Sequence, residues 1–289
     1  MPKKLTIALS LSLTGRYSAM GRQAEAAIRL FADDANASGG ISASGERYEI
    51  GLECIDDQSR PARAAEIYRA LCIGDPRMIL GPYSSELTRT AAPIAEAAGM
   101  LLINHGGADD QIHERGYRMI AGVLTPASEY MTGFVHLLTT LKFWRKRVAI
   151  VCSNGPFGRA VAAGAERACD ERLARRRGVR VRLKYAGAFE PDETPELLGR
   201  AMRRNRINAM ISAGGYEHEL AMVRMAIGPR FNIPVLACVA AGVDAFGADL
   251  GEDAEGIVGV SQWEPSLDIQ PEIGPGAAEF LRRMRNAFP

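Results

Sequence analysis

The sequence has no feature that commits the chain to a membrane, a nucleic acid or a metal. No apolar run approaches the roughly 20 residues that a membrane-spanning helix needs, and a net charge of +1 creates no field that would attract nucleic acid or an acidic membrane. The cysteines include no CxxC pair, and the spacing of the four histidines suits no single metal site. We therefore expect no metal and no cofactor, and we expect the cysteines to be buried free thiols: Cys54, Cys72, Cys152, Cys169 and Cys238.

Signatures of the common catalytic sites are missing as well. The chain contains no HExxH motif, no GxSxG turn, no Walker A loop and no GxGxxG between a predicted strand and a predicted helix. Basic residues cluster at 142–147, 172–182 and 203–206, at predicted helix ends and without a reading helix or stacking aromatics. We interpret these clusters as solvated surface rather than as a nucleic-acid interface, and we expect that the chain is not an enzyme.

Short apolar runs alternate with longer amphipathic stretches along the chain. Several runs are apolar throughout, which is typical of parallel strands covered on both faces. Such an alternation predicts open parallel sheets with helices on both faces. The predicted strands are residues 5–11, 48–55, 78–80, 100–104, 147–152, 179–185, 209–212, 235–239 and 257–262, and the predicted helices are residues 21–37, 61–73, 85–98, 127–141, 158–176, 195–205, 216–227 and 276–286.

The alternation breaks at residues 117–126, and a second strand–helix series follows. The fold class that we predict is α/β, with two doubly wound parallel-sheet lobes. Lobe one takes residues 1–121, lobe two takes 122–258, and 259–289 return to lobe one. The opening apolar run is too short for a signal peptide, so we interpret it as the first core strand. The chain is then either cytoplasmic or a mature exported protein.

Two loops that follow predicted strands are candidates for a binding site. Tyr83, Ser84 and Ser85 stand between a strand and a helix, where hydroxyls and free backbone N–H groups can hold an anion. Simple capping of the helix by either serine is the alternative. The next strand ends in a short loop with Gly107 and Ala108. Because the carboxyl ends of neighbouring parallel strands meet at one edge of a sheet, both loops should face one crevice.

The corresponding loops of lobe two each carry an aromatic residue beside glycine. These aromatics are Phe157 and Tyr216. Each of them can pack within its own lobe, or can form a wall that closes on a ligand held by lobe one.

Motifs spread along the chain are LTGRYSAMG at 13–21, ANASGGI at 35–41, DD at 56–57, ILGPYSS at 79–85 and RGY at 115–117. In these motifs the chain resembles the type I periplasmic solute-binding proteins, specifically the Leu/Ile/Val-binding branch that serves ABC importers. The resemblance extends over the whole chain.

The resemblance implies how a ligand would be held. It implies that Ser85 takes the ligand carboxylate, and we expect Ser85 to cap its helix with Ser84 beside it. The loop with Gly107 and Ala108 would add backbone contacts. The remaining contacts that the resemblance implies are a bulky residue of the first loop and two aromatics of lobe two: Met20, Phe157 and Tyr216.

Two positions depart from the family pattern. Ala108 stands where the family has a threonine, and Ala241 lies where a family glutamate balances the ligand ammonium. A buried ammonium without a counter-charge is costly. Either Asp109 or Glu217 substitutes for the missing carboxylate, or the ligand is an aromatic or aliphatic carboxylate or an amide rather than an α-amino acid.

The resemblance implies a solute-binding receptor that closes two lobes on a small carboxylate through a hinge. Its partner would be an ABC permease, its location would be the periplasm, and we expect a monomer or a weak dimer that binds no nucleic acid. The alternative is a cytoplasmic ligand-sensing regulator on the same scaffold. Family members usually continue with another helix and strand, so we expect the C-terminal part of lobe one to be missing.

Overall fold

The structure of the chain is a computed structural model that describes residues 3–74, 78–142, 145–188, 193–264, 266–267, 271 and 274–287. Its strands are β1 (Lys3–Leu11), β2 (Ile41–Ala43), β3 (Glu46–Asp56), β4 (Met78–Leu80), β5 (Leu102–Asn104), β6 (Ile120–Gly122), β7 (Lys146–Ser153), β8 (Val179–Gly187), β9 (Ala209–Ala213) and β10 (Leu236–Cys238). Its α-helices are α1 (Ser18–Ala37), α2 (Pro61–Ile73), α3 (Ser85–Ala98), α4 (Gln111–Glu114), α5 (Thr132–Thr140), α6 (Pro156–Asp170), α7 (Arg172–Arg176), α8 (Thr194–Arg204), α9 (Tyr216–Ile227), α10 (Asp244–Leu250) and α11 (Ala277–Ala287).

The chain divides into two compact units. Unit 1 comprises Met1–Leu124 and Trp263–Pro289, and unit 2 comprises Thr125–Gln262. The sequence predicts these changes of unit after residues 121 and 258. The strands β1 and β7 belong to separate sheets, one in each unit.

Unit 1 is built on a six-stranded sheet of order β2-β3-β1-β4-β5-β6. The strand β1 pairs in parallel with β3 and β4, and parallel pairing continues through β5 to β6. The core joins Tyr68 and Leu71 of α2 to Ala91 and Ala95 of α3. These residues recur at three- and four-residue spacing, as expected for helices that are buried on one side.

Unit 2 is built on a four-stranded parallel sheet of order β10-β9-β7-β8. The central strand β9 is buried along its whole length, whereas the edge strand β8 alternates exposed with less exposed residues. Full burial of a central parallel strand follows from cover on both faces. The helix α6 lies against the segment before α5 at Gly164, where a Cβ atom would be 1.7 Å from the carbonyl oxygen of Ser128.

The predicted α/β class with parallel sheets is confirmed, but the predicted strand at 257–262 is wrong. Its only pairing within those described residues is an isolated bridge between Val258 and Ala237. At Gly259 the backbone runs so close to the 240–242 turn that a Cβ atom would lie 2.7 Å from the carbonyl carbon of Ala241. Close packing against that turn replaces a regular strand pairing.

Two predicted helices are interrupted, and two strands were missed. Residues 158–176 break at Glu171, whose extended backbone (φ −57°, ψ 149°) separates α6 from α7. Residues 127–141 begin as a single 3-10 turn before α5 starts at Thr132. The strand β2 pairs antiparallel with β3 across Ser44 and Gly45, whose positive φ angles suit a tight hairpin. The strand β6 lies in the segment 117–126, where the sequence predicts a break in the alternation, and it pairs with β5.

Arg283 of α11 makes two 2.6 Å hydrogen bonds to the carboxylate of Asp34 on α1 within unit 1. All five cysteines are free thiols; Cys152, Cys169 and Cys238 are buried as predicted, whereas Cys54 and Cys72 are partly exposed. Within the described ranges, no helix combines the length and apolarity that crossing a bilayer requires.

Candidate functional site

The carboxyl ends of β1, β4 and β5 are neighbours in the unit 1 sheet, so the loops at 12–17, 81–84 and 105–110 meet at one edge. We call these three loops the carboxyl edge of unit 1. The N–H group of Ser84 donates to the carbonyl of Gly106 at 3.1 Å, which joins the second loop to the third. The sequence-predicted residues of unit 1 that lie in or directly beside these two loops are Tyr83, Ser84, Ser85, Gly107 and Ala108.

The first turn of α3 differs from its prediction. Ser85 is not the cap: Ser84 is, because its hydroxyl oxygen accepts a 3.3 Å hydrogen bond from the N–H group of Leu87. Ser85 is the first helical residue, is 4% exposed, and accepts a 3.1 Å hydrogen bond from the N–H group of Asp109. The two serines therefore have separate tasks, one in capping α3 and one in joining α3 to the loop after β5.

The backbone of Ser84 is in a conformation that serine rarely adopts. Its φ angle is 93° and its ψ angle is 145°. This lies close to a region that is essentially restricted to glycine, and a non-glycine residue there costs about 1–3 kcal/mol. The turn that presents the N-terminus of α3 is therefore strained.

The loop after β5 is held by the side chain of Asn104. Its amide oxygen accepts hydrogen bonds from the N–H groups of Gly106 (3.3 Å) and Gly107 (2.8 Å), and its amide nitrogen donates to the carbonyl of Gly107 at 2.8 Å. A Cβ atom at position 107 would lie 2.5 Å from the hydroxyl oxygen of Thr88, so only glycine fits against α3. Ala108, which follows, is 5% exposed.

Three residues that the sequence analysis missed, Arg16, Tyr17 and Glu86, lie beside the first turn of α3 and the predicted residue Tyr83. Glu86 forms an ion pair with Arg16 and is 3.4 Å from the hydroxyl of Tyr17. The ring of Tyr17 meets that of Tyr83 edge to face, with centroids 6.0 Å apart. Burial raises the pKa of Tyr17, and the neighbouring Arg16 partly opposes that rise. The predicted contact residue Met20 is half-buried on α1.

The first loop is fixed by two adjacent carboxylates at the end of β3. Asp57 is fully buried and accepts hydrogen bonds from the hydroxyls of Ser10 (2.9 Å) and Ser12 (2.6 Å) and from the N–H group of Ser59 (2.9 Å). Asp56 accepts from the hydroxyl of Thr14 at 2.7 Å. The paired aspartates of the family motif therefore shape the loop with hydrogen bonds inside unit 1.

The predicted residues of unit 2 lie at the carboxyl ends of β7, β9 and β10. Phe157 is half-buried in the first turn of α6, and its ring meets that of Tyr130 edge to face at 5.5 Å. Tyr216 is the first residue of α9, and its hydroxyl donates to Asp249. Burial and the Asp249 carboxylate raise the pKa of Tyr216 to about 12. Ala241 is half-buried in the turn after β10.

A buried carboxylate that the sequence analysis missed joins two of these loops. Glu219, in the first turn of α9, is 1% exposed. Its two carboxylate oxygens accept hydrogen bonds from the N–H groups of Gly214 (2.5 Å) and Ala240 (2.7 Å). Burial raises the pKa of Glu219 to about 8, against the opposing effect of these N–H donors. The sequence signal that could have identified Glu219 is an acidic residue in the first turn of a helix that follows a Gly-Gly pair, because the helix dipole favours negative charge there.

Asp109 and Glu217 are the two acids that could replace the missing counter-charge, under one of the two alternatives left by the sequence. Asp109 is 2% exposed and lies 3.4 Å from Arg89, with which it forms an ion pair. Glu217 is exposed at the start of α9. In the part of the chain that the structure describes, no group of three or more His, Cys, Asp or Glu side chains is placed to hold a metal ion.

Comparison with known proteins gives the family. A family model described as periplasmic binding protein matches residues 4–289. The chain belongs to the periplasmic binding protein family. This confirms the resemblance drawn from the sequence motifs, and the relatives are binding proteins by name, as expected for a chain that is not an enzyme.

Two curated relatives have low sequence identity to this chain. The leucine-specific-binding protein of Salmonella typhimurium is 26% identical over 169 residues, which cover 57% of this chain and 44% of that protein. An amino acid binding protein of Pseudomonas aeruginosa is 27% identical over 263 residues, which cover 82% of this chain and 65% of that protein. The chain thus spans less than half the length of the Salmonella relative.

Solved structures agree in fold. The leucine-, isoleucine-, valine-, threonine- and alanine-binding protein from Brucella ovis, in its closed conformation, superimposes with a TM-score of 0.82 at 16% identity. The match covers 99% of this chain and 71% of that structure. At this identity the likeness shows the periplasmic binding protein fold.

Proposed function

We propose that this periplasmic binding protein is the solute-binding receptor of an ABC importer, located in the periplasm and delivering a small carboxylate to a membrane permease. Family membership over residues 4–289 supports the receptor role. The ligand contacts that we propose come from both units: Met20, Tyr83, Ser84, Ser85, Gly107 and Ala108 of unit 1, and Phe157, Tyr216 and Ala241 of unit 2.

The N-terminus of α3, at the carboxyl edge of unit 1, is the observation that supports a carboxylate ligand. The first N–H groups of a helix have no intrahelical acceptor, and the helix dipole favours negative charge there. The carbonyl of Gly106 and the N–H group of Asp109 hold Ser84 and Ser85 in place. Strained residues cluster at ligand sites, which fits the backbone of Ser84. The ion pair with Arg16 neutralises Glu86, which would otherwise repel an anion.

The ligand class that we propose is a carboxylate without an ammonium group, such as an aromatic or short aliphatic acid. The side chains of Ala108 and Ala241 have no oxygen atom that could accept a hydrogen bond from an ammonium. Asp109 is paired with Arg89, and both oxygens of Glu219 accept backbone N–H groups. An ammonium buried beside Ala108 and Ala241 would therefore meet no side-chain acceptor at either position, at a high desolvation cost.

Calorimetry with the purified chain tests both parts of the proposal. Leucine, benzoate, butyrate and acetamide are titrated into the wild type, Ser85→Ala and the control Ser42→Ala, which changes an exposed serine of β2. We expect benzoate or butyrate to bind, leucine to give no response, and Ser85→Ala to lose about 1.5–3 kcal/mol of binding free energy, the range for a hydrogen bond to a charged group. Ser42→Ala should bind like the wild type.

Two results would count against this proposal. Sub-micromolar binding of leucine would refute the ligand class but leave the receptor role. Unchanged affinity in a folded Ser85→Ala would show that the serine only joins α3 to the loop after β5.

A further inference from the structure

Glu219 has surroundings that are unusual for a carboxylate. It is 1% exposed, yet burial of a charge is costly unless hydrogen bonds compensate. The donors that compensate it are the backbone N–H groups of Gly214 and Ala240, at 2.5 and 2.7 Å. Gly214 directly follows β9 and Ala240 lies just beyond β10, so one side chain ties together two loops that are 26 residues apart in the chain.

The two loops that Glu219 joins are those that carry Tyr216 and Ala241. Each loop also packs closely against a neighbouring group. A Cβ atom at Gly214 would lie 2.3 Å from Nδ1 of His218, and a Cβ atom at Gly242 would lie 2.3 Å from the carbonyl oxygen of Val260. Glu219 therefore links two closely packed loops through its hydrogen bonds.

We propose that Glu219 is a positioning residue of unit 2, whose carboxylate holds the loop after β9 and the loop after β10 in register. Glu219 has no contact with a ligand in this proposal, because both of its oxygens are turned to backbone N–H groups. It acts through Tyr216 and Ala241, as a supporting residue that limits the looseness of a binding site. The link to ligand binding rests on the proposed function, whereas the link between the two loops does not.

Amide hydrogen exchange without any ligand tests the positioning role. In Glu219→Gln, the side-chain NH2 group cannot accept a hydrogen bond, so at least one of the two N–H groups loses its acceptor. At neutral pH, where Glu219 keeps its proton, we expect exchange at Gly214, Ala240 or both to accelerate by up to about tenfold, since a hydrogen bond to an uncharged group contributes about 0.5–1.5 kcal/mol and 1.4 kcal/mol is a factor of ten. The amide of Ile150, in the centre of β7, should be unchanged, and so should all three amides in the control Glu252→Gln, which alters an exposed carboxylate.

The wild type gives a second test if Glu219→Gln does not fold. The N–H group of Gly214 is held by Glu219, while its neighbour Gly215 is exposed. Gly214 should exchange at least about tenfold more slowly than Gly215 after correction for intrinsic rates. Equal protection of the two glycines, or unchanged exchange at Gly214 and Ala240 in a folded Glu219→Gln, would overturn the proposal.

Calorimetry with leucine and benzoate connects the positioning role to binding. For whichever of these two probes the wild type binds, Glu219→Gln should weaken the affinity by about tenfold and Glu252→Gln should leave it unchanged. Unchanged affinity in Glu219→Gln despite faster loop exchange would refute the link to binding. If neither of these probes nor butyrate binds the wild type, the ligand class proposed above is wrong, and the exchange experiment still decides whether Glu219 joins the loops.

Discussion

Both units fix the loops at the carboxyl ends of their strands with buried or half-buried carboxylates, but they do so with different donors. In unit 1, Asp56 and Asp57 follow each other at the end of β3 and accept hydrogen bonds from serine and threonine hydroxyls as well as from backbone N–H groups. In unit 2, a single carboxylate on a helix, Glu219, accepts from the backbone of two separate loops.

The difference decides which carboxylate stays ionised. Burial tends to raise the pKa of Asp56, but donors from Gln58, Thr14 and Leu13 together outweigh it, so the pKa of Asp56 is lowered. For Glu219 the balance between burial and hydrogen bonding is reversed. Complete burial outweighs the N–H donors and raises the pKa of Glu219 to about 8. Asp56 in unit 1 should therefore stay ionised near neutrality, whereas Glu219 in unit 2 titrates there.

The largest expected effect is the pH dependence that Glu219 gives to stability. The carboxyl proton of Glu219 leaves the unfolded chain near the ordinary pKa of 4.5 but leaves the folded chain only near pH 8. The stability that this proton gives the folded chain is therefore complete below about pH 4.5 and is lost as pH rises through 8. We expect the free energy of unfolding of the wild type, relative to Glu219→Gln, to fall by on the order of 4 kcal/mol between pH 5 and pH 9. Urea unfolding at each pH measures it.

The comparison with Glu219→Gln also separates the pH dependence of stability that Glu219 causes from the pH dependence that its titratable neighbours cause. Burial lowers the pKa of His218 to about 4, so His218 adds stability as pH rises from 4 through 6.5, and it does so in both proteins. Burial, followed by the Glu219 charge, raises the pKa of Cys238 to about 12, outside the tested range. A stability difference that is constant between pH 5 and pH 9 would show that Glu219 does not hold its proton in the folded chain.

The next effect in size tests the hydrogen-bond network of unit 1. Removal of Asp57 leaves the hydroxyls of Ser10 and Ser12 and the N–H group of Ser59 without their acceptor in a buried place. We expect Asp57→Ala to lower the free energy of unfolding by about 3 kcal/mol, since unsatisfied buried donors cost about 1–3 kcal/mol each and partial rehydration offsets part of the sum. Asp33→Ala, at an exposed position of α1, should stay within about 0.5 kcal/mol of the wild type. A loss below 1 kcal/mol in Asp57→Ala would mean that water satisfies the stranded donors.

The strands and helices around both edges were largely predictable because burial leaves a local pattern in the sequence. The apolar run of β9 and the start of α3 at Ser85 are as predicted. The interrupted helix at Glu171 was not, because its break lies in backbone angles within an amphipathic stretch that reads as continuous.

The candidate site was predictable in its location and less so in its contacts. Strand ends carry glycine and serine, and this pattern predicted that the loops with Ser84, Ser85 and Gly107 meet at one sheet edge, where the structure places them. The role of Glu219 depends on N–H groups at positions 214 and 240, which only the folded sheet brings together. The exchange of roles between Ser84 and Ser85 follows from the positive φ of Ser84, an angle that serine itself does not favour.

The smallest expected effect compares two replacements of Ser84 that remove the same hydroxyl. Glycine adopts φ 93° without strain, and as a helix cap it costs only a few tenths of a kcal/mol relative to serine, whereas alanine keeps the strain and loses a cap worth about 1 kcal/mol. In urea unfolding, Ser84→Gly should therefore be about 1 kcal/mol more stable than the wild type, and Ser84→Ala about 1 kcal/mol less stable. If the hydroxyl binds the carboxylate, both variants should lose affinity for benzoate or butyrate to a similar extent, in spite of their opposite stabilities. A Ser84→Gly protein that is more stable and binds as well as the wild type would show that the strain at this edge of unit 1 serves neither folding nor binding.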